Sequence, residues 1–277
     1  MPDSQPHNAT ANSRSVQRIR HEARMRLLTV KRVTRITPRM VRVTLTGDLA
    51  GFKSAAADDH MKLFFPAPGS TQPILPKGPP GSHVVAEGPI PIARDYTPRR
   101  YDPVTNELDI EFVLHNDGPA TSWATQVQPG QTLGVGGPRG SFVVNGAFDW
   151  QLFIADETGL PAIARRLLEL PASTNAFVIA EVEDASDEQL FQSPAKVNVT
   201  WIYRNGRAAG SAELLQQAVS KLTLPAGEGY TWIACESNVA RSLRNYLLHE
   251  RGFDKQWVKA AGYWKLGTAA SHDKHED

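Results

Sequence analysis

The chain has 277 residues, enough for one or two domains with a sizeable buried core. Its 30 Lys and Arg residues almost balance its 29 Asp and Glu residues, which argues against a general nucleic-acid binder, because such proteins carry a basic excess. The single cysteine, Cys235, excludes an internal disulfide, a tetrathiolate zinc site and a cysteine-ligated iron–sulfur cluster. No run approaches 18 apolar residues, so no membrane span is predicted.

Both ends of the chain are predicted to be polar tails. Residues 1–25 contain several arginines but no apolar core of a secretory signal, so a cytoplasmic location is expected by default. Residues 268–277 are charged and include His272 and His275. Two histidines in a solvated tail do not indicate a metal site, and none is expected.

The pattern from residue 26 to residue 147 is typical of β-structure. Short runs that are β-branched or alternate apolar and polar residues lie at 27–33, 40–46, 61–65 and 108–113. Pro and Gly separate the runs, most densely between Pro66 and Pro91, where we predict a surface loop. Several short strands at this spacing predict a small antiparallel barrel.

After Trp150 the pattern changes to alternating strands and helices. Strands are predicted at 151–155, 176–182, 197–203, 230–235 and 257–266, and helices at 160–170, 211–222 and 239–250. This alternation predicts a parallel sheet with crossover helices. We therefore expect a second domain over residues 148–267, with the boundary near 146–150.

The most informative motif is Arg94-x-Tyr96-Thr97. In an extended strand, residues two apart face the same side, so Arg94 and Tyr96 share a face. A guanidinium suits a phosphate, a phenol ring suits a flat heterocycle, and the Thr97 hydroxyl can bond a polar ring edge. The combination suits a flavin nucleotide, although an ordinary amphipathic strand is the alternative.

A second candidate site is the segment 115–124, which begins with His115. Gly118 allows close backbone approach, and Thr121 and Ser122 stand where a helix could begin. The amide nitrogens of a helix start favour a pyrophosphate. A simple capped loop is the alternative.

Two further loops border the predicted cofactors. In the glycine-rich run 134–142, Arg139 stands where a dinucleotide fingerprint needs its third glycine. We therefore interpret Gly140 and Ser141 as a tight turn next to the flavin. The loop 155–162, which contains Thr158, follows the first strand of the parallel sheet, where such sheets bind ligands. Its acidic pair Asp156–Glu157 favours a nicotinamide and ribose over a phosphate.

The chain resembles the siderophore-interacting proteins, a branch of the ferredoxin–NADP reductase superfamily that reduces ferric siderophores. The resemblance extends from about Leu27 to Gly267. Its motifs are Arg94-Asp95-Tyr96-Thr97-Pro98-Arg99, Asp59-His60-Met61-Lys62-Leu63-Phe64-Phe65-Pro66, His115-Asn116-Asp117-Gly118-Pro119-Ala120, Asp156-Glu157-Thr158-Gly159-Leu160-Pro161-Ala162 and Gly262-Tyr263-Trp264-Lys265-Leu266-Gly267.

The resemblance implies a six-stranded antiparallel FAD-binding barrel followed by a parallel-sheet α/β domain that binds a nicotinamide nucleotide. It implies that Arg94 meets the flavin pyrophosphate, Tyr96 the isoalloxazine face and Thr97 the ring edge. Ala120, Thr121 and Ser122 match the family's pyrophosphate loop.

The resemblance also implies a substrate pocket. Lys62 and Lys265 match basic positions of the siderophore site, and Trp264 is expected to cap the flavin. No catalytic residue is assigned.

The expected function is transfer of electrons from NADH or NADPH, through FAD, to iron(III) held by a siderophore. Arg204 and Arg207 follow a strand of the second domain and either grip a 2′-phosphate or are surface arginines. A protein electron donor stays open as an alternative to the nicotinamide. The rival functions are a general flavin reductase or diaphorase, and a siderophore-binding protein without enzymatic activity.

Overall fold

The computed structural model describes residues 14–76, 90–115, 118–268 and 273–274. Predictions that concern the first 13 residues, residues 77–89 of the Pro66–Pro91 insert, Asn116 and Asp117, or His272 and His275 lie outside the described residues.

The N-terminal part forms a seven-stranded antiparallel sheet. Its strands are β2 (Met25–Thr37), β3 (Met40–Thr46), β4 (Met61–Phe65), β5 (Ile92–Tyr96), β6 (Arg100–Asp102), β7 (Glu107–Val113) and β8 (Thr132–Gly136), in the order β5-β4-β8-β2-β3-β7-β6. The expected number was six. The additional strand is the three-residue β6, which is too short to show an alternating pattern. The helix α1 (Pro119–Gln126) packs against β4 and β7.

The connection between β5 and β6 forces this sheet to curl. The two strands are the opposite edges of the sheet, yet only three residues, Thr97 to Arg99, join them. Such a link spans at most about 14 Å, so the edges must approach each other. The apolar residues of the strands, such as Leu28, Val43, Leu63 and Ile110, fill the enclosed core.

A separate two-stranded sheet corrects one expectation about the N-terminus. Residues Ser15–Arg20, predicted as part of a polar tail, form β1, which pairs antiparallel with β9 (Gly140–Asn145). The strand is mostly exposed, so it buries few apolar side chains and gives no sequence signal. Backbone pairing and the stacking of Arg18 on the Phe142 ring hold it in place.

The C-terminal part is a mainly parallel sheet with helices packed on it. The strands β10 (Trp150–Asp156), β11 (Asn175–Val182), β12 (Lys196–Tyr203), β13 (Gly229–Glu236) and β14 (Val258–Trp264) run in the order β12-β11-β10-β13-β14. The helices are α2 (Leu160–Glu169), α3 (Ala212–Lys221) and α4 (Ser237–His249). Asp273–Lys274, expected in a charged tail, add β15 antiparallel to β14.

The predicted strands and helices of this part are therefore confirmed. Open parallel sheets bind ligands beyond the carboxyl ends of their strands, which here are the ends of β10, β11, β12 and β13.

The N-terminal and C-terminal parts pack closely against each other. Met40 of β3 is buried in the apolar cluster of the second sheet, and Arg39 pairs with Asp187 at 2.7 Å. Lys259 of β14 pairs with Asp58 at 2.6 Å. Among the described helices, none is long and apolar enough to span a membrane.

Candidate flavin and nicotinamide sites

The register of β4 and β5 confirms that Arg94 and Tyr96 lie on one face. Arg94 stands opposite Leu63 and Tyr96 opposite Met61. Both partners are completely buried core residues, so Arg94 and Tyr96 project from the core-facing side of the barrel edge. Both are half-buried.

Aromatic contacts connect Tyr96 to helix α1. The Tyr96 ring lies 4.5 Å from the Phe112 ring, and Phe112 lies 5.5 Å from Trp123 of α1. Phe65 contacts the rings of Tyr96 and Trp123. Burial raises the pKa of the Tyr96 phenol well above its usual value, so the ring is a neutral platform. The strand with the Arg-x-Tyr-Thr motif and the start of α1 thus belong to one cluster.

The start of α1 is built like an anion site. Gly118 occupies the N-cap position with φ 133°. No described side chain caps the helix, and its first turn contains no acidic residue. The Thr121 hydroxyl is buried and has no hydrogen-bond partner among the residues that the structure describes. Ala120 is buried, Ser122 is exposed, and the exposed His115 lies beside Gly118.

These residues fit FAD. A buried hydroxyl without a partner is costly, and a diphosphate at an uncapped helix start would satisfy it. No described carboxylate forms an ion pair with Arg94, and the hydrogen bond recorded for its guanidinium goes to the carbonyl of Ala93 at 2.8 Å. The guanidinium is therefore free to meet the same diphosphate.

Thr97 joins the two parts of the protein. Its side chain is buried and lies close to the phenol of Tyr263 on β14. Burial raises the pKa of Tyr263 far above its usual value, so this phenol stays protonated. Its ring meets Trp232 edge-on, with the centroids 6.0 Å apart. The residue expected at the flavin ring edge thus meets the second domain.

Gly140 and Ser141, expected beside the flavin, also have structural partners. A Cβ on Gly140 would lie 2.5 Å from the carbonyl oxygen of Ile19, so this glycine permits the pairing with β1. The Ser141 hydroxyl donates to Asp59 at 2.6 Å, lies 2.7 Å from the His21 imidazole and accepts from the Ala55 amide. This network fixes the loop before β4.

A second set of residues meets at the carboxyl ends of the parallel strands. The buried Asp156 ends β10, and its carboxylate accepts from the Thr158 amide at 2.9 Å and from the Glu236 amide at 3.1 Å. The indole of Trp264 donates to the same carboxylate at 2.7 Å. Gly210 gives room for this ring, since a Cβ there would lie 3.1 Å from it. Trp264, expected over the flavin, thus has its polar anchor at the carboxyl ends of β10 and β13, which form the candidate nicotinamide edge.

Burial and excess negative charge perturb the acids of this edge. Burial, with a smaller effect from Glu157, raises the pKa of Asp156 to about 6. Burial raises the pKa of Glu181 to about 7, although Arg204 opposes the shift. Burial likewise raises the pKa of the Cys235 thiol, in agreement with an inert core cysteine.

Arg204 is neither exposed nor free. Its guanidinium is 5% exposed and pairs with Glu157, with Glu181 at 3.3 Å and with Glu183 at 3.4 Å. These carboxylates belong to β11 and the two loops that follow β10 and β11. Arg204 therefore ties the strand ends together, whereas Arg207 is exposed.

The two lysines expected in the substrate pocket are less isolated than the sequence suggested. Lys62 pairs with Asp95 at 2.9 Å, and both lie on the face of the β4–β5 ladder opposite to Arg94 and Tyr96. Lys265 follows β14 and forms a β-bridge with Thr268. Within the described ranges, no group of three or more His, Cys, Asp or Glu residues is placed to hold a metal ion.

A curled antiparallel sheet with an Arg-x-Tyr-Thr edge, followed by a parallel sheet with helices, is a two-part fold of the ferredoxin–NADP reductase type. Residues 148–267 match the family described as siderophore-interacting protein, and residues 29–142 match its siderophore-interacting FAD-binding domain. The chain belongs to the siderophore-interacting protein family.

Named relatives agree with this assignment. An NADPH-dependent ferric-chelate reductase of Escherichia coli is 37% identical over 90% of this chain and 96% of its own length. The ferric vibriobactin reductase of Vibrio cholerae is 33% identical over 87% of this chain and 90% of its own. The crystal structure of a siderophore utilization protein from T. fusca has a TM-score of 0.87 and 39% identity, covering 95% of this chain and all of the other.

Proposed function

We propose that this protein is an FAD-dependent reductase that transfers electrons from NADPH or NADH to ferric siderophores in the cytoplasm, releasing iron(II). The observation that carries the proposal is the buried, unpartnered Thr121 hydroxyl at the uncapped start of α1. The same helix carries Trp123, which belongs to one aromatic cluster with Phe112 and Tyr96. The named relatives support the choice of substrate.

Bound FAD supplies the conversion of a two-electron hydride into single electrons, which iron(III) accepts one at a time. The residues of this chain bind the FAD and orient it. Arg94 and the amides at the start of α1 neutralise the diphosphate, and Tyr96 offers a flat neutral surface. Thr97, close to Tyr263, places a hydroxyl at the ring edge.

The nicotinamide is proposed to bind at the carboxyl ends of β10 and β13. Here Asp156 and Thr158 meet Trp264. The relative from Escherichia coli is NADPH-dependent, and either nucleotide or a protein donor is compatible with this edge. Lys62 and Lys265 are proposed to attract an anionic ferric siderophore, since exposed charges steer charged substrates.

The proposal is tested by purifying the protein and identifying the cofactor by absorbance. The flavin is then reduced anaerobically with NADPH or NADH, and a ferric siderophore is added with an iron(II)-specific chelator. One nicotinamide oxidised should yield two iron(II). A colourless protein that binds ferric siderophore would instead be a carrier. Turnover of free flavin without turnover of ferric chelates would identify a general flavin reductase.

The same assay measures the role of Arg94. Arg94→Ala should weaken FAD binding by roughly 1.5–3 kcal/mol, because a charge-assisted contact is lost. Arg35→Ala is the control, since Arg35 is exposed and bonds the carbonyl of Pro38. Equal FAD retention by both variants would remove Arg94 from the site.

A further inference from the structure

Arg165 of α2 makes an unusual set of contacts across the junction of the two parts. Its Nη1 donates to the Ser54 hydroxyl at 2.7 Å and to the Pro98 carbonyl at 3.0 Å, and its Nη2 donates to the Ser54 carbonyl at 3.0 Å. Its Nε donates to Glu169 of the same helix at 3.0 Å. The side chain is 13% exposed.

The two segments that Arg165 binds lie at one end of one strand pair. Ser54 belongs to the loop that leads into β4, and Pro98 follows β5. The first residue of β4, Met61, stands opposite Tyr96, the last residue of β5. Arg165 therefore clamps the Tyr96 end of the β4–β5 ladder from the side of the second domain.

The clamp continues into a buried hydrogen-bond network. The Ser54 hydroxyl, which accepts from Arg165, donates to Asp59 at 2.8 Å, and Asp59 also accepts from the Ala56 amide and the Ser141 hydroxyl. A planar guanidinium with several fixed donors can bridge two segments in this way, whereas an ammonium group cannot.

We infer that Arg165 is a positioning residue of the flavin site, which fixes the Tyr96–Thr97 segment relative to the second domain. Two neighbouring residues of this segment meet that domain: the Pro98 carbonyl accepts from Arg165, and Thr97 lies close to Tyr263. Because α2 begins directly after the Asp156–Gly159 loop, Arg165 connects the nicotinamide edge with the flavin ring edge. The inference rests on the proposed function, since it requires that Tyr96 and Thr97 contact FAD.

Hydride transfer is sensitive to small displacements of the reacting groups. Arg165→Met keeps the stem of the side chain but removes every donor and leaves the buried Pro98 carbonyl without this partner. The matched control is Arg166→Met, one residue further along α2. It removes the same charge, and although Arg166 lines a cavity beside Ala55–Asp58, its hydrogen bond goes to Gln151 of its own domain at 3.3 Å and not to the Ser54 or Pro98 segments.

The experiment compares the two variants with the parent protein in three measurements. These are the visible circular dichroism of bound FAD, the single-turnover rate of flavin reduction at saturating nicotinamide, and hydrogen exchange of amides 54–59 in the FAD-free protein. For Arg165→Met we expect an altered flavin spectrum, a rate lowered about tenfold and faster exchange, because bonds across the junction are lost. Arg166→Met should match the parent in all three.

A conservative variant keeps the test decisive if Arg165→Met does not fold. Arg165→Lys can retain one of the bonds, so it should show an intermediate rate and an intermediate spectrum. If Arg165→Lys and every folded Arg165→Met sample match Arg166→Met in rate and spectrum, Arg165 does not position the flavin. A merely structural role would lower the melting temperature and leave both readouts unchanged. A parent protein that holds no FAD, or whose flavin neither nucleotide reduces, overturns the proposed function instead.

Discussion

The indole Nε1 of Trp264 donates to Oδ2 of Asp156 at 2.7 Å, so the last residue of β14 is anchored to the last residue of β10. The preceding residue, Tyr263, lies close to Thr97 in the other part of the protein. Because successive side chains of a strand point to opposite faces, the end of β14 serves both candidate sites. Tyr263 reaches the flavin strand, and Trp264 holds the nicotinamide edge.

The first prediction concerns the pH dependence that Trp264 imposes on Asp156. Its hydrogen bond favours the ionised carboxylate, so Trp264→Phe should raise the pKa of Asp156 above its present value of about 6. A carboxyl group whose folded pKa exceeds its unfolded pKa loses stabilising effect as the pH rises through that interval. The parent should therefore lose free energy of unfolding between about pH 4 and 6 from this group. In Trp264→Phe the loss should extend to higher pH, by about 1.4 kcal/mol for each unit of pKa.

Urea unfolding across this pH range checks the prediction. Asp156→Asn should remove the dependence due to this group. Trp201→Phe is the control, because the Trp201 ring stacks on Phe191 instead. Superimposable curves for Trp264→Phe and Trp201→Phe would show that the indole does not influence this carboxyl group.

The second prediction concerns Thr121. Thr121→Val should weaken FAD binding about tenfold, because a hydrogen bond to the diphosphate is lost. The same change should not destabilise the FAD-free protein, since the buried hydroxyl has no partner there. The control is Thr125→Val, one turn along α1, whose hydroxyl bonds the Thr121 carbonyl at 2.7 Å. FAD titration and thermal unfolding measure both effects, and unchanged affinity in Thr121→Val would contradict the proposed site.

The third prediction uses the Lys62–Asp95 pair. Exposed ion pairs contribute little to stability, so Lys62 can exchange Asp95 for an anionic substrate. Lys62→Ala should raise KM for an anionic ferric siderophore severalfold, and Asp95→Asn should lower it. Reduction of a small neutral acceptor should change in neither variant. The effects should shrink at high salt, where exposed charges are screened. Equal changes on both acceptors would place the siderophore elsewhere.

The fourth prediction concerns Arg204. Its removal leaves the buried Glu181 and the partly buried Glu157 without a counter-charge, so Arg204→Ala should lower the free energy of unfolding by about 3 kcal/mol at pH 7. Arg207→Ala, at an exposed position three residues later, should be neutral. If Arg204→Ala instead keeps its stability and raises only KM for NADPH, Arg204 grips the 2′-phosphate and the carboxylates release it during binding.

Much of the fold was predictable because its signals are local. The strands and helices of the second part have strong periodicity, and the structure shows them within one or two residues of the predicted bounds. Two strands were not predicted, because their pairing with neighbouring strands does not depend on a pattern of side chains. The exposed β1 and the three-residue β6 are formed by backbone hydrogen bonds to β9 and β7.

The candidate site was predictable only in part, for a related reason. Arg94 and Tyr96 share a face because of the two-residue period of a strand. The partners of Ser141, Lys62 and Arg204 come from distant parts of the sequence, and no local pattern announces them. The contacts of Arg165 could not be predicted from the sequence, since it has the sequence pattern of an ordinary helix arginine.

The three-residue link from Thr97 to Arg99 has a mechanical consequence. It is the seam that joins the two edge strands of the curled sheet, and it is also where Tyr263 and Arg165 contact it from the second domain. A force that separates the domains is therefore transmitted to the seam, and an opening seam releases the domains. Separation of the domains and opening of the curled sheet thus become a single event, and the chain is expected to unfold cooperatively although its described apolar residues form three clusters.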